Sequence, residues 1–394
     1  MPTMNDVAAR RSSGPPAGRY DAVVVGARAA GAATAMLLAR QGLRVLNVDR
    51  AAYGSDTLSS HALMRGAMTR LGRWGLLDRL WEAGTPVISR VSFRYCDETI
   101  DIDVPPAGDV PGLAAPRRTV LDRLLVDAAA SAGAEVHHHT RLVQLVTDGQ
   151  GRVRGAQLAL GDGRTTLVSS DVVIGADGLH SLVARLVGAP VTRQGQHASA
   201  YVLQYVTGLD APRDAYQWSY APGVGAGVIP TNGGAWCVFA ALPPRRFTEA
   251  RGDARELMLD VLRANHVPLE RAFASADAAG PLRSWPGVAA RFRRAHGPGW
   301  ALVGDAGYSK DPFAAHGITD AFRDAELLTE AVLTGDFAGY EERRDELSLP
   351  VFTALERIAS YDWTMDTLPR LHLELVHAMR DEEAASDALA TTIR

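Results

Sequence analysis

The sequence predicts an α/β (α+β) chain: a domain built on βαβ units, an antiparallel β-sheet inserted into it, and helices towards the C-terminal end. Three observations lead there. Residues 20–50 read as strand, glycine turn, alanine-rich helix and strand. Two further apolar runs, 171–176 and 301–304, have the composition of strands covered on both faces. Between them, residues 191–241 switch to short strands at close spacing, rich in aromatic side chains.

In the first unit, Val23, Val24 and Val25 form a β-branched run suited to a buried strand. The chain turns at Gly26 and passes Ala27, Arg28, Ala29 and Ala30 to Gly31; a helix then runs to about Gln41, and Gly42 is placed to end it. A second strand, 43–48, leads to Asp49 and Arg50. This is the arrangement that holds a dinucleotide. The helix N-terminus offers free N–H groups and a positive dipole to a diphosphate. An acid at the end of strand two accepts from a ribose hydroxyl. The middle glycine of G-x-G-x-x-G is Arg28 here, so its side chain must turn away from the phosphates, toward the ligand's edge or a nearby acid.

The length, 394 residues, exceeds a comfortable single core, so two intertwined domains are expected. A net charge of −4 gives no electrostatic case for nucleic acid. Cys96 and Cys237 cannot form a disulfide framework. Residues 1–18 are polar, without the apolar centre of a signal peptide, and read as a disordered leader. With no apolar run long enough for a membrane span, a soluble, cytoplasmic protein is expected, as monomer or homodimer. Lys310 is the chain's single lysine. It reads either as a surface ammonium, or a pair with Asp311, or as a group beside the ligand.

After Arg50 comes a polar loop, 51–61, then helices at 62–74 and 76–81, a hairpin at 87–102 and a Pro/Gly-rich linker at 105–116. Residues 117–132 are helical; 135–146, 153–160 and 165–169 form a meander; 171–176 is a buried strand followed by Asp177-Gly178 and a short helix, 181–187. Strands at 200–206, 215–220, 225–230 and 235–241 make the aromatic sheet, whose Tyr201, Trp218, Tyr220 and Trp236 are candidate substrate contacts. Helices follow at 254–265 and 316–333, and 340–379 is mostly helical. His137, His138 and His139 lie in a strand, so neighbours point to opposite faces and no metal site is expected.

Three segments together resemble the single-component FAD-dependent monooxygenases of the para-hydroxybenzoate hydroxylase fold, a group that also includes geranylgeranyl-reductase-like proteins and flavin-dependent halogenases. They are the βαβ unit, DVVIGADGLHSLVARLVG at 171–188, and GWALVGDAGYSKDPFAAHGITDAFRDAELL at 299–328. The resemblance implies a Rossmann-like FAD-binding domain made of 19–85, 110–190 and 281–335, a substrate domain made of 86–109 and 191–280, and a C-terminal helical segment, 336–394. It implies that Gly26, Arg28, Ala29, Ala30 and Gly31 surround the diphosphate, and that Asp49 and Arg50 meet the adenosine. Arg118 matches an arginine near the diphosphate or ribityl chain, and Asp177 a residue near flavin and pyridine nucleotide. Gly304 and Asp305 match the ribityl site, and Pro312, Gly317 and Ile318 the loop against the flavin ring. The family's GDAAHxxxPxxGQG is altered: Tyr308 replaces the His, Ala315 a Gly and His316 the Gln. Tyr308, Lys310 and His316 are therefore the candidate catalytic groups.

The activity so implied is an NAD(P)H-using monooxygenase of an aromatic or polycyclic small molecule, acting with dioxygen, as in secondary metabolism. The alternatives are a flavin-dependent reductase or desaturase of carbon–carbon double bonds in an isoprenoid-like substrate, a halogenase, or a non-catalytic flavoprotein. Halogenases of this group use a lysine in the loop after the first βαβ unit, and none occurs there.

Overall fold

The computed structural model describes residues 17–250 and 252–389. Most of the expected leader lies outside the described residues. The first sheet is built on β1 (Gly18–Val25), which is followed by α1 (Ala29–Arg40), β2 (Val45–Val48) and α2 (Arg65–Arg73). Next come β3 (Arg90–Tyr95), β4 (Glu98–Asp103), α3 (Arg118–Ser131), β5 (Glu135–His137), β6 (Arg141–Thr147), β7 (Val153–Ala159) and β8 (Thr165–Gly175). The inserted sheet contains β9 (Ala200–Thr207), β10 (Ala215–Ala221), β11 (Val224–Pro230) and β12 (Trp236–Leu242), backed by α4 (Ala254–Asn265). The chain returns through β13 (Trp300–Leu302) and ends in α5 (Gly317–Thr334), α6 (Phe337–Ala359) and α7 (Leu368–Leu389).

The first sheet runs β13-β8-β1-β2-β5, all parallel, with Val23 opposite Val173 and Leu46. β1 is central, which explains its unbroken valine run. Ala22 and Val24 pack toward α1, α3 and α5, while Val23 and Val25 pack toward the β6–β7 meander and Val183. β8 is one long strand: its first half pairs antiparallel with β7, its second half parallel with β1 and β13. The expected separate strands at 165–169 and 171–176 are therefore one element. The fold is a Rossmann-type FAD-binding architecture with additional sheets.

The inserted sheet runs β9-β12-β11-β10-β3-β4, and β3 joins β10 in parallel. One face carries Tyr201, Leu203, Tyr205, Tyr216, Trp218, Tyr220 and Phe239 into the core shared with the first sheet. The other face is covered by α4 and the helix Val267–Ser275. The 340–379 helical stretch is two helices, α6 and α7. No helix among the described residues is long and apolar enough to cross a membrane.

Candidate functional site

The C-terminal ends of β1, β2, β8 and β13 open into one cleft of about 740 Å³ that runs on to the inserted sheet. Open α/β sheets place their ligands at this edge. Gly26, Arg28, Ala29, Ala30, Asp49, Arg50, Arg118, Asp177, Asp305, Pro312, Gly317 and Ile318 all line it, as do Lys310, His316 and Tyr201.

At the βαβ end, Gly26 has φ +107°, and a Cβ there would stand 2.4 Å from the Ala176 carbonyl oxygen. Gly31 does not line the cleft; a Cβ on it would lie 1.8 Å from the Gly26 carbonyl oxygen, so its role is close packing of helix on turn. Arg28 needs no glycine. Its φ of −99° and ψ of −164° are extended backbone, and its side chain gives α1 no cap. The first N–H groups of α1 thus face the cleft without a side-chain acceptor. The Arg28 guanidinium donates to Asp122 at 2.9 Å and to the Ser55 carbonyl at 3.2 Å. Arg118, at the start of α3, reaches the same carboxylate at 3.0 Å. Two guanidiniums on one buried acid leave a net positive charge beside the helix N-terminus.

Asp49 accepts from the Ala27 and Ala51 N–H groups at 2.8 and 2.7 Å. Each oxygen keeps a lone pair for a ribose diol. Asp305 is open to solvent along the cleft and enclosed by protein elsewhere; burial, then the charge of Asp320, raises its pKa to about 6 against Arg118 and Lys310. Gly304 lies behind it, where a Cβ would meet the Ala30 methyl at 2.8 Å. At the far end Ala315 adopts φ +50°, ψ 33°, the left-handed conformation that suits the family's glycine at this place. Helix α5 then starts at Gly317, and its first turn has no side-chain cap.

Lys310 is neither on the surface nor paired with Asp311. Its side chain is 4% exposed and its ammonium contacts Asp320. Asp320 also meets Arg323 at 3.3 Å. Glu382 of α7 accepts from His316 Nε2 at 2.9 Å and Arg323 Nη1 at 2.5 Å. Burial opposes the charge on Glu382, yet His316, Arg323 and Lys310 hold its carboxyl below the ordinary range. His316, Asp320 and Glu382 are a ligand set of the kind that binds metals. Lys310 and Arg323 already supply the countercharge there.

Two of the candidate groups face elsewhere. Tyr308 stacks on Phe292 at 4.2 Å in a separate cluster with Phe352. Trp236 lies on the opposite face of the inserted sheet, donating to the Pro212 carbonyl, because side chains alternate along a strand and Cys237 and Phe239 take the inner positions. Trp218 and Tyr220 are on the inner face but packed behind the cleft, Trp218 on Phe239 and Tyr220 on Tyr95, Phe313 and His372. Leu203, Phe239 and Trp285 join Tyr201 in the wall instead. His61 also lines the cleft at φ +47°, buried, with no hydrogen-bond partner for either ring nitrogen among the described residues. Burial, with the charges of Arg117 and Arg118, lowers its pKa to about 3, so the ring is neutral at ordinary pH. Asp122 and His61 carried no sequence signal beyond their places in a helix and a polar loop.

The profile of the FAD binding domain family matches residues 19–336. The chain belongs to that family. A member of the FAD binding domain family with these features is a FAD-dependent oxidoreductase. It is 27% identical over 347 residues to digeranylgeranylglycerophospholipid reductase 1 of Methanococcoides burtonii, covering 86% of this chain and 79% of that one. It is 28% identical over 340 residues to the menaquinone reductase of Mycolicibacterium smegmatis, covering 82% and 78%. Its fold is similar to that of the flavin-dependent brominase Bmp2, with a TM-score of 0.77 at 19% identity over 92% and 93% of the chains.

Proposed function

We propose that this flavoprotein reduces carbon–carbon double bonds in an isoprenoid-like chain, with NAD(P)H as the transient electron donor. The observation that supports it is the continuity of the cleft. A polar arm along the ends of β1, β2 and β8 runs without a break into a chamber walled by Tyr201, Leu203, Phe239 and Trp285. That lining suits an unsaturated hydrocarbon, and both relatives named above are reductases whose names denote molecules of this kind.

The residues fit FAD. The uncapped start of α1, with Ala29 and Ala30, and the Arg28–Asp122–Arg118 group would hold the diphosphate. Asp49 would accept from the adenosine ribose and Asp305 from the ribityl chain. Pro312, Ala315, Gly317 and Ile318 would wall the ring, and the start of α5 would place its dipole there. FAD held there would supply two-electron redox chemistry between the donor and the alkene. The protein's part is to orient the alkene and exclude water.

The test is an anaerobic incubation of FAD-loaded enzyme with NAD(P)H and polyprenyl alcohols or prenylated quinones. A mass gain of two hydrogens per double bond is the expected result. A gain of one oxygen under air, with no saturated product without it, would return the enzyme to the monooxygenase reading.

A further inference from the structure

Residues 55–61 run along the cleft from the phosphate loop to the inserted sheet, and Thr57, Leu58, Ser59, Ser60 and His61 all line it. The segment contains no helix or strand. No backbone N–H of residues 56–62 reaches a backbone carbonyl among the described residues. Side chains of other elements hold it instead. Arg28 donates to the Ser55 carbonyl at 3.2 Å, the Ser55 hydroxyl at 3.1 Å and the Asp56 carbonyl at 3.4 Å. The Asp56 carboxylate meets Arg117, which precedes α3, at 3.3 Å and Arg283 at 3.4 Å. Farther along, the Tyr205 hydroxyl donates to the Ser59 carbonyl at 3.4 Å, the His61 ring stacks on Tyr205, and Leu58 packs against the core. Arg283 belongs to the short strand Arg283–Trp285, which pairs with β9; Arg283 lies opposite Leu203 and Trp285 opposite Tyr201. One carboxylate thus joins the start of α3 to the strand whose Trp285 walls the chamber. A segment without a backbone ladder opens at lower cost than one within a sheet.

We propose that Arg28 and Asp56 couple FAD binding to the chamber: the cofactor fastens residues 55–61, and Asp56 passes that order through Arg283 to the strand of Trp285. The proposal rests on the FAD site and is independent of the chemistry done in the chamber. Holding a long guanidinium in one place costs rotamer freedom. A diphosphate at the start of α1 would give Arg28 an anionic neighbour. The guanidinium so fixed presents its N–H groups to Ser55 and Asp56 at less further cost, which is how ordering at one site favours ordering at the next. Asp56 is then set between Arg283 and Arg117, and Arg117 is itself seated 3.6 Å over the Tyr205 ring. The side chains of Asp56, Arg117 and Arg283 are 21%, 20% and 32% exposed, so neither ion pair is strong alone. Bonds that are weak singly and close as a set suit a wall that fastens on binding. The arginine standing in a glycine's place in the phosphate loop thereby gains a use: it ties that loop to the wall. The chamber is complete only in the loaded protein, and the cofactor precedes the substrate.

The experiment is hydrogen exchange read by mass spectrometry, apo protein against protein saturated with FAD, in peptides covering residues 55–61 and 281–286. In wild type FAD should slow exchange in both by about tenfold, a usual size for coupled sites. Arg283→Met cuts only the link to the strand: FAD should still protect 55–61, and its effect on 281–286 should fall below about twofold. Asp56→Asn should do the same by weakening both arginine contacts. Arg28→Gly, at saturating FAD, should lose the protection of both peptides. A wild type whose 281–286 peptide ignores FAD overturns the coupling. So does an Arg283→Met or Asp56→Asn protein in which FAD protects 281–286 as in wild type, since the cofactor would then act on the strand directly. Full protection in Arg28→Gly would remove Arg28 from the link. No substrate is present, so an enzyme that saturates no alkene leaves this result standing, and failure of the coupling leaves the reductase reading intact.

Discussion

Arg28 occupies the place of a phosphate-loop glycine, yet it leaves the loop's geometry intact. Left-handed backbone is needed at Gly26 and close approach at Gly31, whereas position 28 is extended and its guanidinium turns to Asp122 and Ser55. Its guanidinium and that of Arg118 share Asp122, so this acid is the weak point. Asp122→Asn should cost about 1.5–3 kcal/mol of stability, the usual value of a hydrogen bond to a charged group. An unchanged denaturant midpoint would show the two arginines to be held by solvent alone. Ala315 offers the opposite test. A Cβ at φ +50° is strained by roughly 1 kcal/mol, so Ala315→Gly should raise stability by up to about 1 kcal/mol. A loss instead would mean that the methyl packs usefully against α5. Asp305 predicts a pH effect. Its pKa near 6 means that it becomes protonated, and loses acceptor capacity, as pH falls through that value. FAD affinity should therefore weaken below about pH 6, and Asp305→Asn should bind weakly at every pH, without that dependence. Titration of flavin fluorescence against pH would decide.

At the scale of elements, α7 matters most, because it lies beyond the family's matched residues and still touches the site. Its Glu382 holds His316 and Arg323, Ser386 accepts from Arg70, and Asp387 pairs with Arg73. Glu382→Gln removes one negative charge from a buried group beside the proposed flavin ring. The reduced, anionic cofactor should then be favoured and the midpoint potential shift upward by about 30 mV, equivalent to about 1.4 kcal/mol for a two-electron couple. Spectroelectrochemistry giving the wild-type potential would confine Glu382 to fold stability. None of this could be read in the sequence, since Glu382 and His316 are far apart in the chain and meet only when α7 packs back. The βαβ unit, the Asp177 and Asp305 segments and the aromatic strands were legible because local glycines, valine runs and periodicity encode them. The small sheet of Val191–Gln194, Arg291–Arg293 and Tyr308–Ser309 was not, because such short strands carry no period, and this is what draws Tyr308 away from the cleft. Trp236 was misplaced for a related reason: composition identifies an aromatic strand, but register decides which face each ring takes.

At the scale of the whole molecule, the two sheets do not have separate cores. One apolar cluster contains Val24 of β1, Leu125 of α3, Tyr201 and Phe239 of the inserted sheet, Phe322 of α5 and Leu371 of α7. Residues from every layer bury area against the same neighbours, and the interior is close-packed, so loosening one sheet exposes the inner face of the other. Separate smaller cores lie on the outer face of the inserted sheet, with α4 and Phe273, on the meander face of the first sheet, around Val23 and Val173, and around Phe292 and Tyr308. The expectation is one cooperative thermal transition for the described layers rather than two. FAD at a hundredfold excess over its dissociation constant should shift that single transition upward, by about 2.7 kcal/mol. Calorimetry measures both points together. A calorimetric enthalpy equal to the van't Hoff enthalpy, with one peak that FAD moves as a whole, fits the shared core. Two peaks, only one of them moved by FAD, would mean that the inserted sheet folds independently and that the cleft between the sheets is free to open.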